Sequence, residues 1–217
     1  MIFVPLGCLV AVLLFLSIPL ILGLFFLNLV SFSFGELGLS PSAAIAVIVA
    51  MLIGSLVNIP LTRRRIVYER PAGIRGLFSG PRTGYSGVAI NLGGAIIPIC
   101  LCSYLATIVP SLSEVGIATA IMAVVSKALA RVVPGRGIVL PMFIPPILSA
   151  LLAVLLARDF AAPCAYIAGT MGVLIGADLL NLHRIRRFQG MVSIGGAGLF
   201  DGIFLVGIVA VFLTALV

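Results

Sequence analysis

Long apolar runs constrain this chain more than anything else in it. Seven of them meet or approach the roughly 20 residues that a helix needs to cross hydrocarbon. They fall at about 3–29, 41–61, 86–109, 114–131, 138–157, 161–182 and 195–217. Hydrophobic residues make up 62% of the chain and charged residues 9%, where a soluble domain has about 25% charged. The mean hydropathy is +1.36. Little chain remains between the runs, so residues 1–217 read as a single transmembrane domain. The expected fold class is all-α, a polytopic transmembrane bundle of about seven helices. Pro110 and Ser111-Leu-Ser-Glu114 leave only a short turn between the third and fourth runs, so six helices with a re-entrant piece is the alternative count. The first run lacks a basic leader and is longer than a signal-peptide core, so it reads as a true span.

Charge sets the expected topology. Six basic residues (Arg63, Arg64, Arg65, Arg70, Arg75 and Arg82) lie between the second and third spans. Lys127, Arg131 and Arg136 lie where the fourth meets the fifth, and Arg184, Arg186 and Arg187 between the sixth and seventh. Only Arg158 falls between the fifth and sixth. With the N-terminus cytoplasmic and the C-terminus outside, twelve of the 13 Lys and Arg residues are cytoplasmic, as the positive-inside rule requires. The net charge of +7 then suits the lipid bilayer, with anionic headgroups at the basic loops as partners. It calls for no nucleic acid, and no aromatic-basic interleaving points to one.

Two of the six acidic residues sit inside apolar runs. Asp178 follows Gly172-Val-Leu-Ile-Gly-Ala177 near the end of the sixth span, and Asp201 follows Gly195-Gly-Ala-Gly-Leu-Phe200 near the start of the seventh. A carboxylate in hydrocarbon costs several kcal/mol by any scale, so it has a partner or a job. At about 1.5 Å per residue both lie roughly 6–9 Å inside the cytoplasmic boundary, on helices expected to be antiparallel neighbours. Two carboxylates that meet cannot both carry full charge cheaply, so such a pair holds one shared proton near neutral pH. It can activate a water and protonate a leaving amine, or it can bind and release a proton or cation. Two separate acids near helix ends, Asp178 beside Arg184 and Asp201 in the first turns of its helix, remain the third option.

Supporting residues surround the two acids. Asn181 is three residues beyond Asp178. Gly198 and Gly202 are spaced by four around Asp201, as are Gly172 and Gly176 before Asp178, the pattern of close helix contacts. Asp178 lies about 200° around an ideal wheel from Gly176, so the glycine face of that helix is expected to pack elsewhere. Pro145 and Pro146 remove two backbone donors and should kink or break the fifth span. Irregular backbone at that depth belongs inside the protein or along a cavity.

A parallel pseudo-repeat is also legible. Leu52-Ile-Gly-Ser-Leu-Val-Asn58 followed by Arg63-Arg-Arg65 parallels Leu174-Ile-Gly-Ala-Asp-Leu-Leu-Asn181 followed by Arg184-Ile-Arg-Arg187. Each leads to a glycine-rich span, with Asn91 in the third where the seventh has Asp201. Tyr85, Tyr104 and Tyr166 read as interface anchors. Cys8, Cys100, Cys102 and Cys164 read as small buried apolar residues. Neither a disulfide framework nor metal-ligand spacing appears, and no cofactor or metal is expected. His183 reads as an interfacial residue.

At Leu174–Leu182 and Ser193–Leu205 the chain resembles an uncharacterised family of prokaryotic integral membrane proteins, classed as a domain of unknown function. That resemblance implies an integral protein of a prokaryotic plasma membrane. The chain also resembles, more distantly, the presenilin and signal-peptide-peptidase class of intramembrane aspartyl proteases. Gly198-Leu-Phe-Asp201 keeps the first glycine and the aspartate of that class's Gly-x-Gly-Asp, with Phe200 in place of the second glycine. Ala177 precedes Asp178 where presenilins have tyrosine, and the Pro-Ala-Leu motif of a later helix is absent. Pro145-Pro-Ile-Leu148 matches its backbone role only in a permuted order. The resemblance implies Asp178 and Asp201 as catalytic acids and a transmembrane peptide as substrate. The leading expectation is therefore an intramembrane aspartyl-protease-like protein with its acid pair near the cytoplasmic face. A proton- or cation-coupled transporter using the same aspartates and a non-catalytic membrane scaffold stand as alternatives.

Overall fold

A computed structural model describes residues 6–67, 83–133, 137–185, 191–196 and 202–216. They are mostly helical: α1 (Leu6–Glu36), α2 (Pro41–Gly54), α3 (Ile97–Ile108), α4 (Leu112–Leu129), α5 (Ile144–Leu156), α6 (Ala161–Val173) and α7 (Gly202–Thr214). Among the described residues, three helical stretches are long and apolar enough to cross a membrane, namely Val12–Glu36, Leu112–Leu129 and Arg158–Asn181. That is compatible with a membrane protein. Pro41–Gly54, Leu92–Ile108 and Ile144–Leu156 are apolar but shorter.

The purely helical expectation needs correction. Among the described residues there are six short strands: β1 (Asn58–Pro60), β2 (Arg64–Val67), β3 (Thr83–Asn91), β4 (Arg131–Val133), β5 (Gly137–Val139) and β6 (Met191–Ile194). The runs at 41–61, 86–109 and 138–157 are each part helix and part extended chain, and α7 covers only the later part of 195–217. Apolar runs of a few residues carry no period that separates a buried strand from a buried helix. Val88-Ala-Ile90 and Val192-Ser-Ile194 carry the β-branched residues that favour the strand.

The two sections β1 and β2 act as one bulged strand along the same edge of β3. Asn58 pairs with Asn91 and Pro60 with Ala89, but Arg64 pairs with Ser86, so the first strand holds one extra residue. Leu61 and Thr62 both donate their N–H to the Val88 carbonyl at that point. The bulge explains Gly87, where an added Cβ would come within 1.9 Å of the Thr62 carbonyl oxygen. Along its other edge β3 pairs with β6 in parallel, from Gly87↔Met191 to Ile90↔Ile194. Between α4 and α5, β4 and β5 form a separate antiparallel pair.

The central helix is α6. Cys164 through Thr170 are all buried, and α3, α4, α5 and α7 pack around them. Small residues allow this crowding. Gly172 lies on Met122 and Gly176 on Ala123, so the glycine face of α6 packs on α4, away from Asp178 as expected. Gly207 of α7 lies against the Tyr166 ring, which also meets Phe34 edge-on at 6.1 Å. Tyr166 is thus a core residue and not an interface anchor, whereas Tyr104 is exposed. Cys102 and Cys164 are buried, but Cys100 is exposed. Most of α1 faces outward with exposed Leu, Ile and Phe, and it joins the core through Val30, Phe34 and Leu37 near its C-terminal end.

Pro145 and Pro146 do not kink a continuous span. They occupy the first turn of α5, where the missing N–H groups have no intrahelical partner to lose, and both are buried. They start the helix that the sequence pattern expected them to break.

Gly176→Ala is expected to lower thermal stability by about 1–3 kcal/mol, because its Cβ would come 2.1 Å from the Ala123 carbonyl oxygen. Gly116→Ala, with nothing within 4 Å of its Cβ, should leave stability unchanged or slightly raised. Equal melting temperatures for the two variants in detergent would contradict the α4–α6 packing.

Candidate functional site

The site forms where helical backbone is interrupted in both halves of the chain. After β3 the chain makes wide π-type turns over Leu92–Ile96 before entering α3. Past Val173, α6 widens the same way over Leu174–Asp178, then tightens to a 3-10 turn at Leu179–Asn181. Such π segments disturb the regular carbonyl-to-amide ladder and recur at functional sites. Asn181 repairs part of that disturbance. It is fully buried, and its Nδ2 donates to the Gly176 carbonyl at 3.2 Å and the Ala177 carbonyl at 3.0 Å. Its amide nitrogen therefore serves the helix backbone rather than the neighbouring carboxylate.

Asp178 closes the widened turn and is half-buried. Its Oδ2 accepts a hydrogen bond of 2.7 Å from the backbone N–H of Gly195. A bond to a charged acceptor is roughly twice as strong as a neutral one. Gly195 follows β6 with φ of +69°, a left-handed conformation that glycine adopts without steric cost. The bond therefore joins the end of α6 to the start of the glycine-rich segment that leads to α7.

The other half of the chain presses on the same turn. An added Cβ on Gly94 would come within 1.7 Å of the Gly195 carbonyl oxygen, and one on Gly195 within 2.6 Å of the Gly94 oxygen. Asn91 stands beside them, 2% exposed. Its Oδ1 accepts the Gly94 N–H at 2.7 Å, while its Nδ2 donates to the Ser55 carbonyl at 2.8 Å and to Asn58 Oδ1 at 3.1 Å. Ser193 Oγ donates to the same Asn58 oxygen. Val88, Ala95, Leu174, Ala177 and Ile194 form an apolar floor beneath this polar crossing.

Of the residues singled out in the sequence, Asp178 and Asn181 are in place on the widened end of α6, and Gly202 is the first residue of α7. Asp201 and Gly198 lie outside the described residues. Pro145 and Pro146 are in the first turn of α5. The side-by-side parallel strands β3 and β6 are the relation that a parallel repeat needs. Their register, carried one residue on, sets Asn91 level with Gly195 rather than with Asp201. Asn58 and Ser193 were given no role from sequence. Asn58 is marked only by its place in the first repeated motif, and Ser193 only by its place in the motif Ser193–Leu205. His183 is exposed. No group of three or more His, Cys, Asp or Glu is placed to hold a metal ion among the described residues.

Residues 52–213 match the family described as a protein of unknown function, DUF1614. The chain belongs to that family. The matched range takes in Asn58, Asn91, Asp178, Gly195 and Asp201 and leaves α1 outside. The DUF1614 description carries no activity. No curated protein and no solved structure matches the chain.

Gly195→Ala is expected to cost about 2 kcal/mol or more, since it combines left-handed strain with contact against Gly94 and Ala95. Gly38→Ala meets only the strain, because its φ is +77° but nothing lies within 4 Å. The comparison is made by thermal melting, and a Gly38 variant as damaged as the Gly195 variant would contradict the crossing.

Proposed function

We propose that this protein is an intramembrane aspartyl-protease-like hydrolase in which Asp178 and Asp201 form the acid pair near the cytoplasmic face. The observation that carries this is the hydrogen bond from Gly195 to Asp178. It ties the first acid to a segment that ends, six residues later in sequence, at the second. The segment between the acids also contains β6, an extended strand. A transmembrane peptide must leave the helical state before its carbonyl carbon is open to attack, and an extended neighbouring backbone offers hydrogen bonds to a chain in that state.

The chemistry is that of a carboxyl pair sharing one proton. The ionised member takes a proton from water as its oxygen attacks the scissile carbonyl carbon. The protonated member donates to the carbonyl oxygen. Collapse of the tetrahedral adduct breaks the C–N bond, and the amine leaves with a proton from the pair. The basic loops would hold the site near anionic headgroups.

A second reading is favoured by a different observation, the interruption of both α6 and the approach to α3 at one polar crossing. Discontinuous helices meeting at a repeat interface are how many transporters build ion sites. A proton- or cation-coupled transporter would use the same aspartates.

One reconstitution separates the two. Proteoliposomes carrying a transmembrane reporter peptide should show cleavage that falls by about 100-fold or more in Asp178→Ala and in Asp201→Ala. Unchanged cleavage in either variant would rule out the acid pair. Absent cleavage together with a sodium or proton flux that vanishes in Asp178→Asn would establish transport instead. Neither activity, with both aspartates tolerant of substitution, would leave a membrane scaffold.

A further inference from the structure

We infer that Asn91 is the positioning residue of the Asp178 site: through Gly94 it holds the Gly195 turn so that the Gly195 N–H stays aimed at the carboxylate. The inference builds on the reading of Asp178 as a functional acid and concerns a residue from the other half of the chain.

Asn91 is the last residue of β3 and the N-cap of the widened turn that follows. Every polar atom of its side chain has a partner. Oδ1 takes the Gly94 N–H, the third amide of the turn, as an N-cap side chain does. Nδ2 reaches Ser55 and Asn58, which anchors the amide to the end of α2 and to β1. Asn58 also accepts from Ser193 of β6, so one oxygen gathers donors from β3 and β6. These bonds fix the place of Gly94, and Gly94 and Gly195 approach so closely that neither tolerates a Cβ. Asn91 also touches the turn directly. An added Cβ on Gly196 would come 2.7 Å from Asn91 Cβ.

The consequence concerns orientation. Gly195 is held by Asp178 through its N–H and confined by Gly94 at its carbonyl side. Remove the Asn91 cap and the Leu92–Ile96 turn loses the bond that sets its first amides. Gly94 is then free to shift, and Gly195 can rotate its N–H away from the carboxylate. The acid would keep its place at the end of α6 but lose the Gly195 N–H, which alters how it shares a proton without removing it. The pseudo-repeat gains a physical meaning here. Where the second half has a left-handed glycine, the first half has a capping asparagine, and the parallel register sets the two side by side.

The test uses the full chain in lipid nanodiscs with 15N-labelled glycine, and reads amide hydrogen exchange at Gly195, Gly169 and Gly172. In Asn91→Ala, exchange at Gly195 should speed up about tenfold or more, the loss expected for a hydrogen bond to a charged acceptor. Gly169 and Gly172, both buried within α6, should stay at wild-type rates. Asp178→Ala, which removes the acceptor oxygen, should speed Gly195 in the same way. Asn91→Ser, whose hydroxyl can still cap the Gly94 amide, should recover most of the protection. Wild-type exchange at Gly195 in Asn91→Ala would overturn the inference, as would an equal rise at Gly169 and Gly172, which marks a merely structural residue. If Asn91→Ala fails to fold, Asn91→Ser decides: protection near wild type at Gly195 upholds the role, and exchange as fast as in Asp178→Ala removes it. Failure of the hydrolase or transporter reading shows up separately, as absent cleavage and flux in a wild-type protein whose Gly195 is still protected.

Discussion

Backbone amides released from a helix in apolar surroundings must find partners, and the crossing of β3 and β6 is where this chain meets that demand. Each unsatisfied group would cost several kcal/mol in hydrocarbon. Here the demand is met by a strand pair, by two asparagine side chains and by one aspartate. β3 takes the bulged β1–β2 strand on one edge and β6 on the other. Asn91 caps the turn above it, Asn181 bonds two carbonyls of the widened end of α6, and Asp178 takes the Gly195 N–H.

Glycine makes the crossing possible. Gly94 on Gly195, Gly93 on the end of α2 and Gly176 on Ala123 all bring backbone against backbone. Asp178, half-buried beside these contacts, has the Gly195 N–H dipole fixed upon it. That is the environment in which an acid acquires a defined role in proton transfer or ion binding. The same closeness ties the acid to both halves of the chain, since Asp178 belongs to the second half while Gly94 and Asn91 belong to the first.

Much of this was legible in the sequence, and what was not has a physical reason. The membrane character followed from long apolar runs, and the place of Asp178 near the end of the sixth followed from residue counting. The packing of Gly172 and Gly176 on one neighbouring helix followed from their spacing of four, although Gly176 itself lies in the widened turn. The strands were missed. Val88-Ala-Ile90 sits inside a longer apolar run, and Val192-Ser-Ile194 is a short stretch between two runs, too brief for a period to mark it as a strand. Pro145 and Pro146 were misplaced for a related reason: a proline pair signals a boundary, but only the fold tells whether a helix ends or begins there. Asn181 seemed a partner for Asp178 because three residues separate them, yet the widened turn exposes carbonyls closer to its amide. The repeat was visible as paired motifs, but its register was not, since glycine-rich segments align almost equally well at several offsets.

The proposed function requires Asp201 to meet Asp178 as a working acid pair. An experimental structure in lipid nanodiscs, at a resolution that places carboxylate oxygens, measures it most directly. The expected result is a carboxyl-to-carboxyl separation within direct contact or one bridging water, about 6 Å or less. A separation beyond roughly 10 Å with no water between the two groups would contradict it.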